Sequence, residues 1–186
     1  MVDCPHGQSV KSPSFPLLPV AKKTIHHMDF DTLAYVNGQV VALSGEPHGF
    51  APADKKKLAA LVKDVEHRAD NQDFEEALAE KAALLVFKLA SGQYFKAGNK
   101  RTALVAGFVF LKKNGYAIDI ERPELVSAVD KAGIGAANLD DLYAAIRAAL
   151  SKSEADRKGW EGITKGAVQA DKAFLAHLAI DTEDSQ

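Results

Sequence analysis

Four consecutive residues, Gly98, Asn99, Lys100 and Arg101, stand just ahead of the most apolar stretch of the chain, Ala103 to Leu111. In that order they are suited to hold an anion. A glycine lets the backbone curl so that successive N–H groups line a concavity, and two cations add charge beside it. A helix starting at Asn99 or Lys100 leaves its first N–H groups without partners, and its dipole favours a negative group there. Cations at that end oppose the dipole, so something should compensate them. A glycine turn with solvated cations satisfies the same residue types equally well. Five positions before Gly98 stands Gln93, whose amide does not titrate near neutral pH.

The elements that must position this loop follow from hydrophobic spacing. Phe30, Leu33, Val36, Val40 and Leu43 recur at helical intervals behind a capping Asp29, and the helix ends at SGEPHG, residues 44–49. A second helix is expected from about Pro52 to Arg68, with Leu58, Leu61, Val62 and Val65 in one stripe. A third covers roughly Phe74 to Ala90 and is stopped by Gly92. The fourth runs to Gly115, with Lys112 and Lys113 in its last turn as the dipole prefers. It is apolar on every side, which places it at the centre of the protein. Further helices are expected at 123–132, 138–151 and 153–179, with YAIDI (116–120) as a very short strand. The fold class is all-α, a helical bundle around one buried helix. In the last expected helix Trp160, Phe174 and Leu178 read as core.

Composition narrows the function classes. With 186 residues and 47% hydrophobic content the chain has material for a real core. Lys plus Arg number 23 against 25 for Asp plus Glu, so direct nucleic-acid binding is not expected. The single cysteine, Cys4, has no partner for an intramolecular disulfide. Residues 1–27, rich in proline at their start, read as a flexible N-terminal arm, followed by a helical domain over 28–150 and a helical extension and tail over 151–186. No apolar run is long enough to span a bilayer, so a cytoplasmic protein without membrane association is expected. HHMD (26–29) and DKKK (54–57) read as exposed polar residues.

The string GQYFKAGNKRTALVAGFVFLKKNGY resembles the signature loop and following helix of the Fic/Doc (Fido) superfamily. The likeness is closer to the Doc, or death-on-curing, branch, whose motif runs His-x-Phe-x-Asp-(Ala/Gly)-Asn-Lys-Arg. Phe95, Gly98, Asn99, Lys100, Arg101, Thr102 and Ala103 match it, as does NGY at 114–116, and the likeness extends over about 28–150. It implies a Fido bundle with room for a small β-hairpin flap, and a loop that binds ATP phosphates through Gly98, Asn99, Lys100 and Arg101. Phe95 would be the loop's structural anchor. It further implies Mg²⁺, transfer of a phosphoryl or AMP group to a protein hydroxyl, and a toxin-type protein with an antitoxin partner and a target such as a translation factor.

Two positions depart from the motif. Gln93 stands where the family has its general-base histidine, and Ala97 where it has an acidic metal ligand. Loss of general-base catalysis alone costs about 10²–10⁴ in rate. Loss of a carboxylate for Mg²⁺ removes a second aid to phosphoryl transfer. Both changes point to impaired transfer, with a non-catalytic nucleotide- or phosphate-binding module as the alternative. His48, His67 and Glu46 are the nearest candidates for substitutes, each more simply read as an ordinary loop or surface residue. RKGWEG (157–162) has Arg157 where the family's inhibitory helix carries a hydroxyl, so self-inhibition is not expected.

Overall fold

The structure is a computed structural model and describes residues 23–50, 54–68 and 73–180. Most of the expected N-terminal arm with Cys4, the helix-starting Pro52 and the acidic tail from 181 lie outside those residues. The described elements are α1 (Phe30–Val41), α2 (Asp54–His67), α3 (Phe74–Ser91), α4 (Asn99–Lys113), β1 (Tyr116–Ala117), α5 (Pro123–Gly133), α6 (Leu139–Ala149), β2 (Ser151–Lys152), α7 (Trp160–Ala170) and α8 (Lys172–Ile180). The fold is all-α, as expected. The two short strands pair antiparallel, Tyr116 with Lys152 and Ala117 with Ser151.

Helix α4 is the axis of the bundle. From Arg101 to Leu111 every residue but Phe108 is buried. Helix α3 lies along it, and the two approach closely because Gly107 faces Val86: a Cβ on Gly107 would come within 2.6 Å of Val86 Cγ2. Helices α1, α5 and α7 pack around the same core, which also takes in Leu142 and Ile146 of α6 and Leu175 of α8. No helix among the described residues is long and apolar enough to cross a membrane.

Caps account for several boundaries. Asp29 accepts from the Thr32 amide at 2.8 Å, and Asn138 and Asp141 form a reciprocal capping box that starts α6. At the far end of α4, Asn114 donates to Phe110 O and exchanges two hydrogen bonds with the backbone of His26, fastening the segment that leads into α1. Lys81 of α3 is almost wholly buried, and its Nζ donates to the carbonyls of Val65 and Glu66 at the end of α2.

The C-terminal region departs from the single helix expected over 153–179. Residues 153–159 are not helical, α7 starts at Trp160, and a break at Asp171 separates it from α8. Ile163, Ala167 and Val168 of α7 and Leu175 of α8 are all buried, so both pieces bury apolar residues in the core across the break. Trp160, Phe174 and Leu178 are only partly buried and pack against the core from outside.

Candidate functional site

The loop between α3 and α4 begins where Gly92 caps α3. Gln93 follows with φ +48°, the one non-glycine residue in the left-handed region among those described. Phe95 turns inward and is 2% exposed. Its ring lies 5.5 Å from that of Phe50, which in turn stacks on Phe30 at 5.2 Å. Phe50 and Phe95 also form an antiparallel bridge, and the Lys96 amide donates to Gly49 O at 3.0 Å. This bridge is the extended structure at Phe50, and the small β-hairpin flap that the resemblance implies is not formed among the described residues there.

Asn99 closes the loop on itself. Its Oδ1 accepts from the Phe95 amide at 3.0 Å and its Nδ2 donates to the Phe95 carbonyl at 2.9 Å. Between them Gly98 takes φ +72°, and a Cβ there would approach Val41 Cγ1 to 2.9 Å. Glycine is therefore required twice, by its backbone angle and by the nearness of α1. The first backbone donor of α4 with a partner is Thr102 N, on Gly98 O at 2.8 Å. The amides of Gly98, Asn99, Lys100 and Arg101 meet no acceptor among the described residues. They form an electropositive helix start.

The negative charge that the cations demanded is present in the protein itself. Arg101 is 3% exposed, donates to Ser44 Oγ at 3.0 Å and is ion-paired with Glu46. Burial pushes the Glu46 carboxyl up, but hydrogen bonds from Arg101 and Ser44 outweigh it and hold the group below the ordinary glutamate range. Lys100 pairs with Asp130 of α5 at 3.1 Å, its stem lying across Gly133. The cations are thus compensated by carboxylates of the protein itself.

The remaining candidates are dispersed. Glu46 is engaged by Arg101 and Ser44, so it is not a spare metal ligand. His48 places Nε2 3.3 Å from Ala34 O and its ring against Gly38 of α1. His67 is bonded to Lys63 O at the end of α2. Gln93 is exposed at the rim of the loop. Among the described residues no group of three or more His, Cys, Asp or Glu side chains is arranged to hold a metal ion. Ala97 offers only its carbonyl, which accepts from Asn37 Nδ2 at 2.9 Å.

Asn37, Ser44 and Asp130 escape the sequence reading. Asn37 left a signal, a polar amide four residues after Leu33 and next to Val36 in an apolar stripe. Asp130 and Ser44 left none, because their partners are distant in sequence.

A family model described as the Fic/DOC family matches residues 23–111. The chain carries a Fic/Doc family domain. The matched residues run from the approach to α1 through most of α4, and so include the loop and the segment packed on it. Helix α5, whose Asp130 reaches Lys100 of the Fic/Doc domain, lies beyond them. Among curated proteins no sequence matches the chain.

Proposed function

We propose that this Fic/Doc domain binds the phosphates of ATP at Gly98–Arg101 and transfers a phosphoryl or AMP group from it to a protein hydroxyl poorly. The unpartnered amides around a left-handed Gly98 carry this reading. They offer several N–H donors and a helix dipole to one anion, and Arg101 and Lys100 lie beside them. A phosphate entering there must compete with Glu46 for Arg101 and with Asp130 for Lys100. The Lys100 pair is the easier to open, since Asp130 is half exposed.

ATP fits the donors of this loop, and when bound it supplies the group to be transferred. Mg²⁺ does not fit as a protein-held ion. Ala97 has no carboxylate, its carbonyl is taken by Asn37, and Glu46 is taken by Arg101. No step is derived through it. Gln93 sits where a proton acceptor is needed; its amide orients a hydroxyl by hydrogen bonding but does not take the proton. The Doc-like character of the motif makes a toxin paired with an antitoxin, acting on a target such as a translation factor, the biological setting of this reading.

The test is transfer from γ-labelled and α-labelled ATP to protein in lysate, alongside direct ATP titration. The parent is expected to bind ATP and give little label, and Gln93→His with Ala97→Asp is expected to raise the label. A parent as active as the double variant overturns the impairment. A parent that binds no nucleotide overturns the cradle.

A further inference from the structure

We propose that Asn37 is the positioning residue of the phosphate cradle, fixing the Ala97–Gly98 peptide so that the Gly98 N–H faces away from α1. This rests on the cradle reading above. Asn37 is fully buried on α1, sixty residues before the carbonyl it holds. Its Nδ2 donates to Ala97 O at 2.9 Å and to Thr102 Oγ1 at 3.0 Å. One amide therefore grips the chain on both sides of Gly98, in the loop and in the first turn of α4.

The consequence follows from peptide geometry. The peptide bonds are all trans among the described residues, and a trans peptide carries its C=O and N–H on opposite edges. Drawing the Ala97 oxygen inward onto Asn37 turns the Gly98 N–H outward. Without that hold, the left-handed Gly98 gives the backbone freedom to rotate the peptide, and the first donor of the cradle is lost.

A second observation separates this role from ordinary packing. Asn37 Oδ1 is buried and has no hydrogen-bond partner among the described residues. Leaving such an acceptor unpaired is destabilising. Turning the amide over does not help, because Oδ1 would then face the Ala97 carbonyl, acceptor against acceptor. A buried position selected for stability alone is better served by an apolar side chain in that stripe. The orphaned oxygen accompanies an amide nitrogen committed to Ala97 of the loop and to Thr102 of α4.

The experiment uses the full chain, isotopically labelled, with inorganic phosphate and ATP as probes. Asn37→Asp keeps the shape but presents no donor to Ala97 O when ionised. Burial against a carbonyl raises its pKa, so acidification returns a proton and with it one donor. Binding by Asn37→Asp is expected to be about tenfold weaker than wild type at about pH 7.5, and to recover toward wild type at about pH 5. Asn37→Leu is expected to bind weakly at both. In the ligand-free proteins the Ala97 carbonyl carbon and Gly98 amide nitrogen resonances should move, returning at low pH only in Asn37→Asp. The titratable and charged groups of the loop and of the segments packed on it and on Asn37, namely Lys96, Lys100, Arg101, Glu46, His48 and Asp130, are common to all the proteins, so wild type at each pH corrects for them.

Wild-type resonances in folded variants overturn the inference, and so does a binding loss that is the same at both pH values for both variants. Resonances that move while wild type binds neither probe sink the cradle reading and keep the peptide orientation. Should Asn37→Asp not fold, Asn37→Ser, which keeps a hydroxyl donor, is expected to fall between wild type and Asn37→Leu in both readouts. A serine variant no better than leucine overturns the proposal.

Discussion

Replacing Gly98 by alanine tests whether the loop is held by both a backbone angle and a contact. Alanine at φ +72° costs about 1–2 kcal/mol for the left-handed conformation. The lower entropy of the unfolded chain returns about 0.4–1 kcal/mol. The added methyl would lie 2.9 Å from Val41 Cγ1, on a stiff β-branched side chain that is itself buried, and such overpacking costs about 1–3 kcal/mol. The net expectation is destabilisation by about 1–4.5 kcal/mol, a sizeable share of the roughly 5–15 kcal/mol of a typical domain. Gly135 provides the control, since it has φ +73° and nothing within 4 Å of a built Cβ. Gly135→Ala should bear the backbone cost alone, about 0–1.6 kcal/mol after the entropy gain. Urea unfolding of both variants, with the slope checked for change, measures the difference directly. In Gly98→Ala, adding Val41→Ala should relieve part of the overlap, giving a favourable coupling of about 1 kcal/mol in a double-mutant cycle. A Gly98→Ala protein within about 0.5 kcal/mol of Gly135→Ala would refute the contact with α1 as a constraint on the loop.

Other consequences are open to measurement. Gln93→Gly removes a side chain from a left-handed residue and should stabilise the fold by about 0.5–1 kcal/mol in the same unfolding assay, whereas a loss would mean that the glutamine side chain makes a contact worth more than its strain. Asn114→Ala gives up three hydrogen bonds that tie the end of α4 to His26 and Phe110, and thermal unfolding should register about 2–3 kcal/mol of lost stability. Glu46 is held below its ordinary value, so its stabilising pair with Arg101 is fully present above the usual glutamate range and lost as pH falls through the lowered value. The stability gap between wild type and Glu46→Gln should therefore be constant at neutral pH and close on acidification. A gap unchanged down to about pH 3 would contradict the pairing.

Helices with a clean stripe were legible before any coordinates, α4 above all, because a helix apolar on all sides has only the centre of a bundle to occupy. Asp29, Gly92 and Gly98 announced their boundaries through their own chemistry. What stayed hidden depends on distant partners. Nothing near Lys100 or Arg101 in sequence names Asp130 or Glu46, although the helix dipole did announce that negative charge was needed. Lys81 shows the same limit. Lysines are mostly exposed, yet Lys81 is buried and its ammonium is received by two carbonyls at the end of α2. The stretch 153–179 misled because its apolar residues keep helical spacing through Asp171, and periodicity alone does not show where a helix is interrupted.

The two-ended clasp of Asn99 on Phe95 bears on how an anion would meet this loop if it is the phosphate site proposed above. Both hydrogen bonds are internal to the turn, so its shape is settled when the protein folds and does not wait for an anion. Phosphate association would then need little ordering of the backbone, and its rate would be governed by diffusion and by the opening of two ion pairs. A site built this way is expected to bind with a small change in conformational entropy, and its affinity should respond to salt more than to loop flexibility.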